Sequence, residues 1–319
     1  MIMSFSSEIR AELCTRTDRA PHCRIAMLAG IISLDGKMKL QDGRRCLSVR
    51  MEKNEVVDTV RRLLELVFGM EESDLEIVPR AQEGARIRIY DPELIRRMFE
   101  TLKLKELEDR LDVDDIVLSR NCCRIAFLRG AFLAAGSVSN PETQYQMEIV
   151  TDRDSVTGQV LQALASFDVE GRVTERRYSQ VVYIKDADGI SETLGQMGAS
   201  AAMMEFENIR ILKGIRNNIN REVNCDTANI TKTANAAIRQ IEEIRRIEET
   251  IGLQNLPSGL QQLARVRLEN PDLSLKELGE MMDPPLGKSG VNHRLRKISE
   301  LAAHPEEFRQ AVSDIQRKK

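Results

Sequence analysis

The stretch HCRIAMLAGIISLDGK, residues 22–37, has a near copy a hundred positions later, CCRIAFLRGAFLAAGS, residues 122–137. Laid without a gap, residues 23–37 match 123–137 at seven of fifteen places: Cys, Arg, Ile, Ala, Leu and two Gly. The segments after each copy repeat as well, which predicts a duplicated fold unit. After the first copy, KMKL and RRCLSVRME alternate with period two around the turn residues QDG, as paired strands do. NEVVDTVRRLLELVFGM then places Val56, Val57, Val60, Leu63, Leu64 and Val67 at helical spacing, with Asn54 as the cap and Gly69 as the stop. LEIVPR and ARIRIYD read as two more strands, and PELIRRMFETLKL as a helix with Pro92 in its first turn. The second copy is followed by GSVS and YQMEIV, DSVTGQVLQALASF, EGRVTER and VVYIKD, then GISETLGQMG. The order in each half is helix, two strands, helix, two strands, helix, an α+β unit built twice. The acidic stretch KELEDRLDVDD between the halves reads as a solvated connector.

With 319 residues and 42% hydrophobic content the chain can bury a sizeable core. No apolar run approaches the roughly 20 residues of a membrane span, and MIMSFSSEIRAELCTR lacks the apolar stretch of a signal peptide. The expected location is the cytoplasm, without a membrane partner. The six cysteines (Cys14, Cys23, Cys46, Cys122, Cys123, Cys225) show no C-x-x-C spacing and there are only three histidines, so the expectation is reduced thiols, no metal site and no cofactor. A net charge of -3 excludes a chain that coats nucleic acid by bulk charge, so a DNA contact has to come from local patches.

One such patch lies near the C-terminus. SGLQQLARVRLEN, LKELGEMM and SGVNHRLRKISELAA read as three short helices. Ser274 and Glu277 form a capping box at the start of the second, and Asp283, Pro284 and Pro285 end it. The third helix has Val291, Leu295, Ile298 and Ala302 on one face, and Asn292, His293, Arg294, Arg296 and Lys297 elsewhere. Residues 288–297 hold four Lys or Arg and no acid. This is a helix-turn-helix pattern with a turn longer than the usual three or four residues. Ahead of it, NNINREVNCDTANITKTANAAIRQIEEIRRIEETIGL is rich in Asn and then helical in Ile238, Ile241, Ile244 and Ile247. The span 209–240, which overlaps its start, carries Arg210, Lys213, Arg216, Arg221, Lys232 and Arg239 against Glu222 and Asp226.

In the repeated helix, small residues stand four apart: Ala26 and Gly30 in one copy, Ala126, Gly130 and Ala134 in the other. Such strips let two helices approach closely. If the copies pack side by side and parallel, their C-terminal ends meet, each at a Gly suited to a left-handed exit. Two carboxylates there would make a divalent-metal site for phosphodiester hydrolysis. This chain has Asp35 in one copy and Ala135 in the other.

LAGIISLDG resembles the LAGLIDADG motif of homing endonucleases, and the duplicated order resembles their two-motif, single-chain members over residues 20 to about 205. The duplicated region followed by NREVNCDTAN and SLKELGEMMDPPLGKSGVNHRLRKI is similar to the bacterial WhiA family of sporulation and cell division regulators, over nearly the whole chain. The resemblance implies a LAGLIDADG-like domain at 1–215 (halves about 1–110 and 111–215), a helical bridge at 216–255 and a helix-turn-helix domain at 256–319. In the nuclease family the acid before the last Gly of each motif binds metal. Carried over, these are positions 35 and 135, and a methyl group at Ala135 cannot ligate a metal.

The favoured reading is therefore not an enzyme. It is a sequence-specific regulator of double-stranded DNA in cell division, chromosome segregation or sporulation, nucleoid-associated, with Lys288, Ser289, Asn292, His293, Arg294, Arg296 and Lys297 as its DNA contacts. An active endonuclease would need a second acid from outside the motif, such as Glu142 or Asp42. The third reading is an interaction scaffold. Lys37, Lys39, Arg86 and Arg88 share one strand face that could line a saddle over DNA, whereas the second half offers Gln144, Gln146 and Glu148 and suits a protein partner equally.

Overall fold

The computed structural model describes residues 4–108 and 110–304, which fall into two compact units, one up to Gly214 and one from Ile215 on. The first unit opens with α1 (Phe5–Thr15), an element the sequence pattern does not reveal. Its first half runs α2 (Pro21–Asp35), β1 (Gly36–Gln41), β2 (Arg44–Met51), α3 (Asn54–Phe68), β3 (Glu76–Pro79), β4 (Ala85–Ile89) and α4 (Pro92–Leu102). A hairpin of β5 (Leu104–Leu107) and β6 (Arg110–Val113) comes next. The second half repeats the order as α5 (Asn121–Ala135), β7 (Gly136–Val138), β8 (Met147–Thr151), α6 (Asp154–Ala165), β9 (Arg172–Arg176), β10 (Ser179–Ile184) and α7 (Ala187–Met197).

Both halves make antiparallel sheets of equivalent order, β3-β4-β2-β1 and β9-β10-β8-β7. The β1–β2 turn is a two-residue loop with Asp42 at φ 51° and Gly43 at φ 73°, the left-handed pair that matches strand twist. The acidic connector is not merely solvated. Its β5–β6 hairpin adds to the edge of the first sheet at β1: Leu104, Leu111 and Val113 face the core, and Arg110 and Asp112 beside them pair with Asp152 and Arg153 of the second half. Asn54 does not cap α3: Lys53 holds that position, and the Asn54 side chain instead accepts from Gly84 N at 3.1 Å. Gly69 ends the helix left-handed, at φ 69°, as expected.

The centre of the unit is the pair α2 and α5. From Ala26 to Ile32, and from Ala126 to Leu133, every residue is buried, so each helix is covered all round rather than on one stripe. The backbones touch at the glycines. A Cβ on Gly30 would lie 2.4 Å from Phe127 O, and one on Gly130 only 2.1 Å from Met27 O. Gly36 and Gly136 do not take the left-handed exit that the sequence suggests; they leave their helices in extended conformation, at φ -90° and -85°. They are glycines because a Cβ would meet Ile32 O at 2.4 Å and the Phe132 ring at 2.3 Å. Ser6 ties α1 to the second half, exchanging two 2.8 Å bonds with the backbone of Val138.

The helix α8 (Ser200–Thr250) begins in the first unit, where the Glu12 carboxylate accepts from Ala201 N and Ala202 N at 2.8 and 2.9 Å. In the second unit its later residues Ile244 and Ile247 pack with α9 (Ser258–Glu269), α10 (Leu275–Glu280) and α11 (Lys288–Ala303) around Leu260, Leu263, Leu278, Val291, Leu295 and Ile298. The buried Arg267 fastens this core: its guanidinium donates to Gln240 Oε1 at 2.9 and 3.0 Å and to Leu273 O at 2.6 Å. Residues 305–319, the end of the expected 256–319 domain, lie outside the described residues. No helix among the described residues is long and apolar enough to cross a membrane.

Candidate functional site

The helix-turn-helix is built from local signals. The Ser274–Glu277 capping box forms in full and starts α10. Gly279 admits the turn after it: its carbonyl accepts from Leu286 N at 2.8 Å, and a Cβ there would lie 2.0 Å from Leu286 O. Residues 281–287 then lead into α11. There Val291, Leu295, Ile298 and Ala302 are 4% exposed or less, fixing which side of the helix faces outward.

The outward side carries Lys288, Ser289, Asn292, His293, Arg296 and Lys297, all exposed. Arg294 stands apart from the rest of the expected set. It is half-buried and donates to Gly259 O at 3.2 Å, which binds α11 to the start of α9. Arg296 lies 3.6 Å from Glu300 in an exposed pair, a contact that costs little to give up. The N-cap of α11 is Gly287, with no side chain closing the first turn, so its backbone N–H groups face outward with the positive end of the helix dipole.

In the first unit, α2 and α5 run parallel and their C-terminal ends meet in a cleft of about 660 Å³ lined by Asp35 and Ala135. Arg10, Lys37, Lys39, Arg50 and Arg86 line it too, against the acids Asp35 and Glu52. The lining thus has three more basic than acidic residues. Burial, with Glu52 adding to it, holds the Asp35 carboxyl well above the ordinary carboxylate range, while Arg50 and Arg80 oppose the shift. Neither Glu142 nor Asp42 lines this cleft; the second acid is Glu52, which the sequence pattern does not single out. Glu52 is exposed and sits 3.4 and 3.8 Å from Arg50 and Arg80. Lys37, Lys39, Arg86 and Arg88 do share one face, since Lys37 pairs with Ser48, Ser48 with Arg88, and Arg50 with Arg86. On the second sheet only Glu148 lies in a strand, because β8 begins at Met147 and leaves Gln144 and Gln146 in the preceding loop. Glu148 is held by Arg176 at 2.8 Å.

At the opposite, N-terminal ends of the same two helices, His22 and Cys23 meet Cys122 and Cys123. Their ligand atoms all lie within 4.8 Å of one another. Burial pushes the Cys23 thiol up to about 12, helped by the neighbouring Cys122 thiol, and burial raises Cys123 as well. A search for C-x-x-C spacing misses this group, since its two halves come from segments a hundred residues apart.

Residues 124–216 match the WhiA LAGLIDADG-like domain and residues 219–302 the WhiA C-terminal HTH domain. The chain is 43% identical over 313 residues to "Probable cell division protein WhiA" of Desulfitobacterium hafniense strain Y51, covering 96% of this chain and 97% of that one. To the protein of the same name from Lachnospira eligens it is 41% identical, covering 97% and 99%. The crystal structure of full-length WhiA from Thermatoga maritima matches with a TM-score of 0.58 at 26% identity, covering 94% of this chain and 98% of that one.

Proposed function

The chain belongs to the WhiA family, and from that premise we propose that it is a sequence-specific regulator of double-stranded DNA acting in cell division, chromosome segregation or sporulation. The observation that carries this is the exposed side of α11. Lys288, Ser289, Asn292, His293, Arg296 and Lys297 stand on it together, and from residue 288 to 299 the sequence has no acid to repel phosphate. A helix inserted in the major groove reads base edges with Asn, His and Arg, and Lys and Arg hold the phosphates. The open first turn of α11 offers backbone N–H groups to the same backbone phosphates. Arg294 acts as a positioning residue, setting α11 against α9. Such a regulator works at the nucleoid in the cytoplasm. Crosslinking the protein to DNA across the genome tests this reading: a few sharp peaks support a regulator, and no enrichment leaves the scaffold.

The LAGLIDADG-like unit binds and does not cut. Ala135 supplies no ligand, so the two motif helices offer one carboxylate, Asp35, where the paired metals of phosphodiester hydrolysis take one from each. Purified protein with magnesium or manganese is expected to leave DNA intact. Double-strand cleavage that disappears in both Asp35→Ala and Glu52→Gln would overturn this.

A protein partner on that unit is the second reading. The second sheet favours it, because Val150 and Val173 are exposed there and Tyr178, 94% exposed, projects from the β9–β10 turn.

A further inference from the structure

The residues His22, Cys23, Cys122 and Cys123 occupy the second and third positions of α2 and α5. The pairing of α2 and α5, backbone against backbone at Gly30 and Gly130, extends to their N-terminal ends, where the side chains of both helix starts meet. His22 Nδ1 lies 3.3 Å from Cys23 Sγ, 3.3 Å from Cys123 Sγ and 4.0 Å from Cys122 Sγ. Four ligands around a tetrahedral zinc ion stand roughly 3.5 to 3.8 Å apart, given zinc–sulfur and zinc–nitrogen bonds of about 2.3 and 2.0 Å. The three nitrogen–sulfur spacings lie on either side of that edge, and all four ligand atoms fall within 4.8 Å of one another, close enough to converge on one ion.

We propose that His22 Nδ1 and the Sγ atoms of Cys23, Cys122 and Cys123 bind a single zinc ion, which staples together the N-terminal ends of the two motif helices. Three thiolates and an imidazole are a soft donor set that selects zinc over magnesium, manganese or calcium. The filled site carries one net negative charge, three thiolates against a divalent ion. It sits at two helix N-termini whose first turns no side chain caps, where negative charge is stabilised. Cys122 is exposed and gives the ion its way in, while Cys23 and Cys123 are buried. On binding, the three thiols release their protons to solvent and the imidazole binds in the tautomer that keeps its proton on Nε2. The site stands at the far end of the helices from Asp35 and Ala135, so it is distinct from the position where the nuclease family holds its catalytic metal.

The test uses the reduced full-length chain, stripped of metal and titrated with zinc against a chromophoric chelator, with cobalt as a spectroscopic probe. The expected result is one zinc per chain, a tetrahedral thiolate spectrum with cobalt, and a melting temperature that rises with zinc. Cys122→Ser and His22→Gln should bind roughly tenfold more weakly or worse, whereas Cys225→Ser, which removes an exposed thiol outside the group, should bind as the wild type does. Cys122 is exposed, so its replacement leaves no hole in the core. Two results would overturn the proposal: no zinc bound by the reduced wild type, or affinity unchanged in both ligand variants.

Discussion

At Asp35 the helix α2 ends in a carboxyl that burial drives well above its ordinary value of 3.8. The folded chain therefore keeps this proton over a pH range in which the unfolded chain has lost it. Stability from this group is fully present in acid and falls as pH rises through the raised folded value. Asp35→Asn abolishes that loss, so the gap in melting temperature between variant and wild type should widen from acidic to neutral pH in the variant's favour. Parallel melting curves across pH would show that Asp35 ionises freely. The mismatch of Asp35 with Ala135 is legible in the sequence because the two copies align without a gap. The role of Arg294 is not, since helical periodicity places it near the polar side and says nothing of the Gly259 carbonyl that accepts from it at 3.2 Å. The His22–Cys123 group escapes for a related reason: spacing rules see ligands along one segment, and these meet only after two segments pack.

The helix pair α2 and α5 is where sequence and packing agree most closely. Small residues four apart announce a close approach, and Gly130 delivers it, with space for a hydrogen but not for a methyl 2.1 Å from Met27 O. Gly130→Ala should lower stability by about 1–3 kcal/mol, and Gly130→Leu by more, through overpacking of backbone against backbone. Chemical denaturation that gives the wild-type midpoint for Gly130→Leu would mean the helices part there at no cost. Other elements are harder to read. The β5–β6 hairpin hides in an acidic stretch because charge outweighs its few apolar residues, and sequence does not show that Asp112 finds its counter-charge in Arg153, 3.0 Å away in the second half. The Asn-rich segment gives no sharp start to a helix, since Asn is a weak helix former. It is nevertheless interior to α8, which starts at Ser200 and continues to Thr250.

Taken as a whole, a chain of net charge -3 concentrates its cations locally. They line the cleft at the ends of α2 and α5 and the exposed side of α11, and phosphate recognition responds to such local charge rather than to the total. The two-copy architecture and the helix-turn-helix are both legible from periodicity, turn residues and a capping box. The apolar face of α11 is legible too; that Arg294 is drawn to the Gly259 carbonyl, and so is not on the free side, emerges only from the packing. The most direct measurement is therefore the binding of wild type, Asn292→Ala and the Arg296→Ala/Lys297→Ala double variant to an in vitro selected DNA site across a salt series, with circular dichroism as the folding control. If α11 holds DNA, the slope of log K against log salt becomes shallower by about 0.9 for each phosphate contact the double variant loses. Asn292→Ala should cost about 1–3 kcal/mol and relax specificity at one position, as loss of a base contact does. Folded variants with unchanged affinity, slope and specificity would contradict this, remove α11 from the DNA interface, and leave the interaction scaffold as the leading account.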